Sequence, residues 1–269
     1  MKNIPFKKMH GSGNDFILID NRQGLIKPEE APELASRLCR RGFGIGADGL
    51  ILIEDSKRAD FKWRFLNADG SLAEMCGNGG RCAARFASIA GICKDDLTFE
   101  TKAGIIKARV KKNSVKLQLT RPRDIKEGMR LDLDGKEMVV DFADTGVPHA
   151  VLFCQDVEGM DVKGLGKKIR NHPFFQPAGT NVNFVQVLSP NQLKVRTYER
   201  GVEDETYACG TGASASALLA GLKGLVSSPV QVVTSGGERL LVHFDTTNLD
   251  EIYLEGNAVL VYSGVTEEI

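Results

Sequence analysis

Two stretches decide how this chain is read. The first is Cys76-Gly77-Asn78-Gly79-Gly80, running into Arg81-Cys82-Ala83-Ala84-Arg85-Phe86-Ala87. The second is Cys209-Gly210-Thr211-Gly212, running into Ala213-Ser214-Ala215-Ser216-Ala217-Leu218-Leu219. Each is a cysteine, a glycine turn and a helix of small residues, and they stand roughly half the chain length apart. The surroundings repeat weakly as well. Asn67 lies at the end of an alternating strand shortly before Cys76, and Glu199 does so before Cys209. Farther upstream, Gly13-Asn14-Asp15-Phe16-Ile17-Leu18 precedes the first cysteine much as Pro148-His149-Ala150-Val151-Leu152 precedes the second. Such a period is far too long for a solenoid. It implies two similar domains facing each other across a cleft, each contributing one thiol.

Working outward, short apolar or alternating runs predict strands at 16–19, 49–53, 61–65, 115–119, 138–142, 182–187, 193–198, 230–234, 240–244 and 252–261. Helical patterns are fewer: Glu29–Arg40, Gly79–Ala90, Leu165–Asn171 and Ala213–Leu222. Many strands with few, separated helices indicate an α+β fold. The segment Thr120–Gly128, with Arg121-Pro122-Arg123-Asp124, reads as a mid-chain connector. The halves are accordingly taken as 1–124 and 125–269.

Composition removes several function classes. The 269 residues carry 35 Lys+Arg against 35 Asp+Glu, which argues against nucleic acid or an acidic membrane face as partner. The N-terminal residues lack the apolar stretch of a secretory signal, and no run approaches a membrane span, so a cytoplasmic location is expected. The six cysteines form no Cys-x-x-Cys, so neither a zinc ribbon nor a thioredoxin-like motif is supported, and no metal is expected. The 29 glycines exceed the usual share of about 7%, which directs attention to where they cluster.

A thiol at a helix start meets unpaired backbone N–H groups and the positive end of the macrodipole, which favour the thiolate. The same N–H groups hold a carboxylate, and the glycines let a ligand approach the backbone. Two such devices in equivalent halves suit stereoinversion at one carbon: one thiolate removes an α-proton and the opposite thiol delivers one. No Lys-centred cofactor motif is present, consistent with a cofactor-free mechanism. Cys39, Cys82, Cys93 and Cys154 lack the glycine turn and are assigned to packing. His172 and His243 are assigned to structure, and His10 is left undecided.

The chain resembles the diaminopimelate epimerases, cofactor-independent enzymes that interconvert LL- and meso-diaminopimelate. The resemblance spans essentially the whole sequence. It is carried by His10-Gly11-Ser12-Gly13-Asn14-Asp15-Phe16, Asn67-Ala68-Asp69-Gly70-Ser71, Met75-Cys76-Gly77-Asn78-Gly79-Gly80-Arg81-Cys82, Gly146-Val147-Pro148-His149, Gly179-Thr180-Asn181-Val182-Asn183-Phe184, and Tyr198-Glu199-Arg200-Gly201 through Ala208-Cys209-Gly210-Thr211-Gly212. It implies that Cys76 and Cys209 are the catalytic acid and base, with His149 and Glu199 tuning them. It also implies substrate contacts from Asn14, Asn67, Gly77, Asn78, Asn181, Glu199, Arg200, Gly210 and Thr211. A guanidinium at Arg200 suits the distal carboxylate of the substrate. The implied architecture is two pseudo-symmetric domains, each a curled mixed sheet around a central helix, with the active site in the cleft between them. A last strand near 257–269 would cross back to the first domain, and Tyr262 would lie in a homodimer interface. Two positions depart from the family pattern: Val147 stands where an asparagine is common, and Gly49 where some members place a glutamine.

Rival readings make different demands. Proline racemase and hydroxyproline epimerase relatives also use paired thiols, but tend to carry a histidine where this chain has Asn78 and lack the Tyr198–Gly201 block. A thiol redox protein would cycle Cys76 and Cys209 through a disulfide. A non-catalytic amino-acid-binding protein would explain the asparagines and glycines but not two thiols at helix starts.

Overall fold

The computed structural model describes residues 3–73 and 75–266. Residues 267–269, the end of the expected final strand, lie outside that range. In chain order the elements are β1 (Ile4–Gly11), β2 (Asn14–Asp20), α1 (Ala31–Cys39), β3 (Gly49–Glu54), β4 (Phe61–Asn67), α2 (Gly77–Ile89), β5 (Asp96–Thr101), β6 (Gly104–Lys111) and β7 (Ser114–Gln118). There follow β8 (Arg123–Leu133), β9 (Lys136–Asp144), β10 (Pro148–Phe153), α3 (Val162–Arg170), β11 (Asn181–Ser189), β12 (Gln192–Glu199), β13 (Asp204–Thr206) and α4 (Gly210–Leu222). The chain ends with β14 (Val230–Thr234), β15 (Arg239–His243), β16 (Tyr253–Asn257) and β17 (Val259–Thr266). Two compact units result, one of residues 1–118 with 256–269 and the other of residues 119–255.

The first unit pairs its strands in the order β17-β1-β2-β3-β4-β5-β6-β7, with β2–β3 and β4–β5 parallel and the remaining pairs antiparallel. Each parallel pair is bridged by a helix, α1 and α2 respectively, as a parallel crossover requires. Because helices cover both faces of β2 and β3, those strands are unbroken apolar runs rather than alternating ones. Ile17, Ile19, Leu50 and Leu52 pack with Ala31, Leu34 and Ala35 of α1. The opposite parity meets α2, which touches β1, β2 and β3 and also β6 and β7, so the sheet curls around it. A helix enclosed this way needs small side chains, and Gly79, Gly80, Ala83, Ala84 and Ala87 are all buried.

The second unit repeats the plan. Its order is β8-β9-β10-β11-β12-β14-β15-β16, with β10–β11 and β12–β14 parallel, the other neighbours antiparallel, and β13 paired to β12. Here α3 and α4 bridge the parallel pairs, and α4 touches β9, β10, β11, β12, β14 and β15. Ala150, Leu152, Val182, Phe184 and Tyr198 pack towards Val162 and Ile169 of α3. The opposite parity therefore faces α4, and it includes His149, Asn181, Asn183, Thr197 and Glu199.

Several expectations are corrected. The connector expected at Thr120–Gly128 contains the start of β8, an irregular strand whose outward residues are polar and exposed, so no apolar alternation marks it. The run expected as one strand at 252–261 divides into β16 and β17 at Ala258, whose N–H bonds to the Asn113 carbonyl at 2.8 Å. The glycines after both cysteines are not turns but first helical turns, since α2 begins at Gly77 and α4 at Gly210. Strands β1, β5, β6, β8, β10 and β13 have no counterpart among the strands expected from the sequence.

Candidate active site

Cys76 is the N-cap of α2, with extended backbone at φ −147° and ψ 120°. Its Sγ accepts from the Gly79 N–H at 3.4 Å and donates to Asn14 Oδ1 at 3.6 Å. Asn78 Nδ2 donates to the same oxygen at 3.4 Å. Asn14 is turned by its other end: Nδ2 donates to Asp48 Oδ2 at 2.6 Å. A carboxylate only accepts, so Asp48 decides that the amide oxygen of Asn14 faces the thiol. Arg41 Nη2 anchors Asp48 at 2.9 Å and also pairs with Asp15, which Lys8 Nζ approaches to 2.7 Å. Burial would raise the Asp15 carboxyl, but hydrogen bonds from Arg41 and Lys8 outweigh it and hold it at about 2. Arg81, fully buried, donates from Nη2 to Asn78 Oδ1 at 2.9 Å and to Ser12 Oγ at 2.7 Å. Asn67 shares the α2-facing parity of Phe65 but is tied into its own turn, Nδ2 donating to Ser71 Oγ at 2.9 Å.

Cys209 caps α4 in the same way, with φ −113° and ψ 108°, but its side chain makes no capping bond like that of Cys76 to Gly79. Its Sγ lies 3.5 Å from Thr211 Oγ1, and the Thr211 carbonyl accepts from Thr145 Oγ1 at 3.0 Å. His149 is fully buried at the start of β10, opposite Asn181 in the parallel register. Burial, aided by the charge of Arg200, lowers the imidazole to about 3, so it is neutral at physiological pH. Glu199 is raised by burial, against a lowering bond from Thr206 Oγ1 at 2.9 Å. Asn181 Oδ1 accepts from the Arg200 N–H at 2.8 Å, while the Arg200 guanidinium reaches the Ala178 carbonyl at 2.8 Å. Gly77 and Gly210 are buried as the first residues of their helices.

The remaining candidates separate cleanly. Burial pushes the Cys39 thiol up to about 12 and Cys93 to about 11, and raises Cys154. These groups stay protonated, and Cys82 is fully buried in α2. His172 Nδ1 accepts from the Phe174 N–H at 3.2 Å at a 3-10 turn, and His243 Nε2 lies 2.9 Å from Glu255 Oε2. His10 Nδ1 accepts from the Gly13 N–H at 3.4 Å, a turn contact. Among the described residues no cluster of histidine, cysteine and carboxylate side chains is arranged to hold a metal ion.

The sequence that folds into these two topologically matching units has relatives among known proteins. The diaminopimelate epimerase family model matches residues 6–123 and 142–261. The chain belongs to this family. A diaminopimelate epimerase of Aquifex aeolicus (strain VF5) is 50% identical over 99% of both chains. One from Hydrogenobaculum sp. (strain Y04AAS1) is 43% identical over 96% of each. In fold alone, a phenazine biosynthesis protein of the PhzF family from Bacillus anthracis superposes with a TM-score of 0.72 at 16% identity, covering 99% of each chain.

Of the two departures from the diaminopimelate epimerase pattern, Gly49 has a structural reason. A Cβ there would stand 2.6 Å from the Phe65 ring and 2.7 Å from the Leu66 carbonyl, so β3 admits no side chain at that point. Val147 is half-buried, and its carbonyl accepts from the Thr145 N–H at 3.2 Å. Sequence reasoning assigned no role to Asp48, Arg81, Asn183 or Thr197. The available signal was a polar residue inside an apolar strand, as in Val182-Asn183-Phe184, where a buried amide needs partners.

Proposed function

We propose that the chain interconverts LL-2,6-diaminopimelate and meso-diaminopimelate by two-base proton transfer at the α-carbon, with no cofactor. The observation that carries this reading is the matched placement of Cys76 and Cys209, each the N-cap of the enclosed helix of its unit. One thiolate takes the α-proton and becomes a thiol. The other thiol gives its proton to the opposite face and becomes a thiolate, so the enzyme ends each turnover with the two protonation states exchanged. The α-proton is only weakly acidic, and its removal places charge on the adjacent carboxylate. Backbone N–H groups at a helix start are suited to hold that charge without reorganisation.

The other family positions divide between the two ends of the substrate. Gly77, Asn78, Gly210 and Thr211 would meet the reacting end, with Asn14 beside Cys76, while Asn67, Asn181, Glu199 and Arg200 would hold the distal end. A site built to pair a distal ammonium and carboxylate leaves those groups unpaired with a simpler amino acid, which supports selectivity against proline. His149 and Glu199 would set the proton affinities of the thiols. The product serves lysine and peptidoglycan precursor synthesis, which supports a cytoplasmic location; among the described residues no helix is long and apolar enough to cross a membrane. A homodimer is supported by β17, where Val261, Tyr262 and Val265 are exposed.

The test is to incubate reduced protein with LL-diaminopimelate in deuterated water without added cofactor. α-Deuterium and the meso product should appear together. Absence of exchange, or equal activity on proline, would refute the assignment.

A further inference from the structure

Around His149 the hydrogen bonds leave one consistent pattern. Asn183, fully buried on β11, places Nδ2 at 3.1 Å from the Ala150 carbonyl and at 3.1 Å from His149 Nδ1. A backbone carbonyl only accepts, so it fixes the Asn183 amide with its NH2 end towards both groups. Thr197 Oγ1 donates to the opposite end, Asn183 Oδ1, at 2.9 Å. The second hydrogen of the NH2 group must then point at Nδ1, which can receive it only as a lone pair. The proton of the neutral imidazole is left on Nε2. That nitrogen is buried and has no hydrogen-bond partner among the described residues, an arrangement that costs stability unless something else completes it.

We propose that Asn183 is a positioning residue that locks His149 as its Nε2–H tautomer, so that His149 serves the Cys209 side of the molecule as a fixed hydrogen-bond donor. The group that completes it is an anionic acceptor: a carboxylate oxygen of an amino-acid substrate or a thiolate. The inference rests on the epimerase reading only for that acceptor. The same amide also explains a glycine. A Cβ on Gly212 would come within 2.2 Å of Asn183 Oδ1, so the third residue of α4 must be bare for Asn183 to sit where it does.

The ring nitrogens can be observed directly. With 15N-labelled histidine and a His149→Gln reference to identify its signals among the four histidines, the wild-type protein should show a protonated Nε2 and an unprotonated Nδ1. In Asn183→Asp the new carboxylate cannot donate to Nδ1, and the proton should move to it. Turnover should then fall on the order of 10²-fold, with KM nearly unchanged where the acceptor is a thiolate and raised where it is the substrate carboxylate. Thr197→Val leaves the Ala150 carbonyl in command of the amide and should keep the wild-type signals. A wild-type Nδ1–H signal overturns the proposal, and so does an Asn183→Asp protein whose tautomer and turnover match the parent. The Nε2–H signal in a wild-type protein that turns over no diaminopimelate would support the positioning role while refuting the substrate assignment.

Discussion

At the scale of single residues, the two helix-capping cysteines are alike in place but unequal in what they hold. Cys76 accepts the Gly79 N–H, whereas Cys209 makes no such bond. Cys76→Ala should therefore lose a weak cap, about 0.5–1 kcal/mol of stability, and Cys209→Ala should lose less. Both should abolish epimerisation, because a two-base exchange has no substitute for either proton carrier; full turnover by either variant would refute the model. Glu199 offers an independent check. Burial raises its carboxyl above the ordinary glutamate value despite the Thr206 bond, so the folded protein binds that proton more tightly than the unfolded chain. Its contribution to stability is then complete below the ordinary value and is lost as pH rises through the raised one. Glu199→Gln cannot ionise. It should melt higher than the parent at neutral pH, equal it near about pH 4, and have impaired turnover, the expected trade of stability for function. Thermal unfolding at the two pH values decides this, and a lower neutral-pH midpoint for the variant would contradict the assignment.

At the scale of elements, the two small-residue helices differ in why their glycines are required. A Cβ on Gly80 of α2 would meet Leu117 Cδ2 at 2.9 Å, the end of a flexible side chain that can turn aside. On Gly212 of α4 it would meet the Asn183 amide, held by three partners. Alanine gains about 1 kcal/mol over glycine inside a helix. Gly80→Ala should consequently be close to neutral in stability, whereas Gly212→Ala should be destabilised and lose turnover. Equal tolerance at both positions would undo the argument. The small-residue character of these helices was legible in the sequence because total enclosure selects Gly, Ala and Ser. The strand parity that brings Asn181, Asn183, Thr197 and Glu199 to one face was legible in part, since β11 and β12 were recognised. Strand β10 escaped notice because Pro148 opens it, and β1 because Lys8, buried against Asp15, reads as a surface residue. Asp48 and Arg81 act through other side chains, Asn14 and Asn78, and such second contacts leave no periodic trace.

At the scale of the molecule, the two units share a topology but not a chain economy. The second is one continuous segment, 119–255, with a core of its own between its sheet and α3. The first needs the C-terminus: β17 pairs with β1 from Ile4 to His10, and Thr266 Oγ1 receives the Ile4 N–H at 3.1 Å. Two guanidiniums of α2 depend on the same segment, since Arg81 Nε donates to the Asn257 carbonyl at 3.4 Å and Arg85 Nη1 to that of Ala258. Removing 256–269 would bare the β1 edge and leave the buried Arg81 and the half-buried Arg85 each short of an acceptor, which is costly. Residues 119–255 alone should therefore fold cooperatively, with dispersed amide resonances, while 1–118 alone should not. Adding a peptide of residues 256–269 in trans should restore order to 1–118 in proportion to its concentration, as for any ligand that binds only the folded form. A cooperative thermal transition in 1–118 without the peptide would show that the first unit does not require the returning strand.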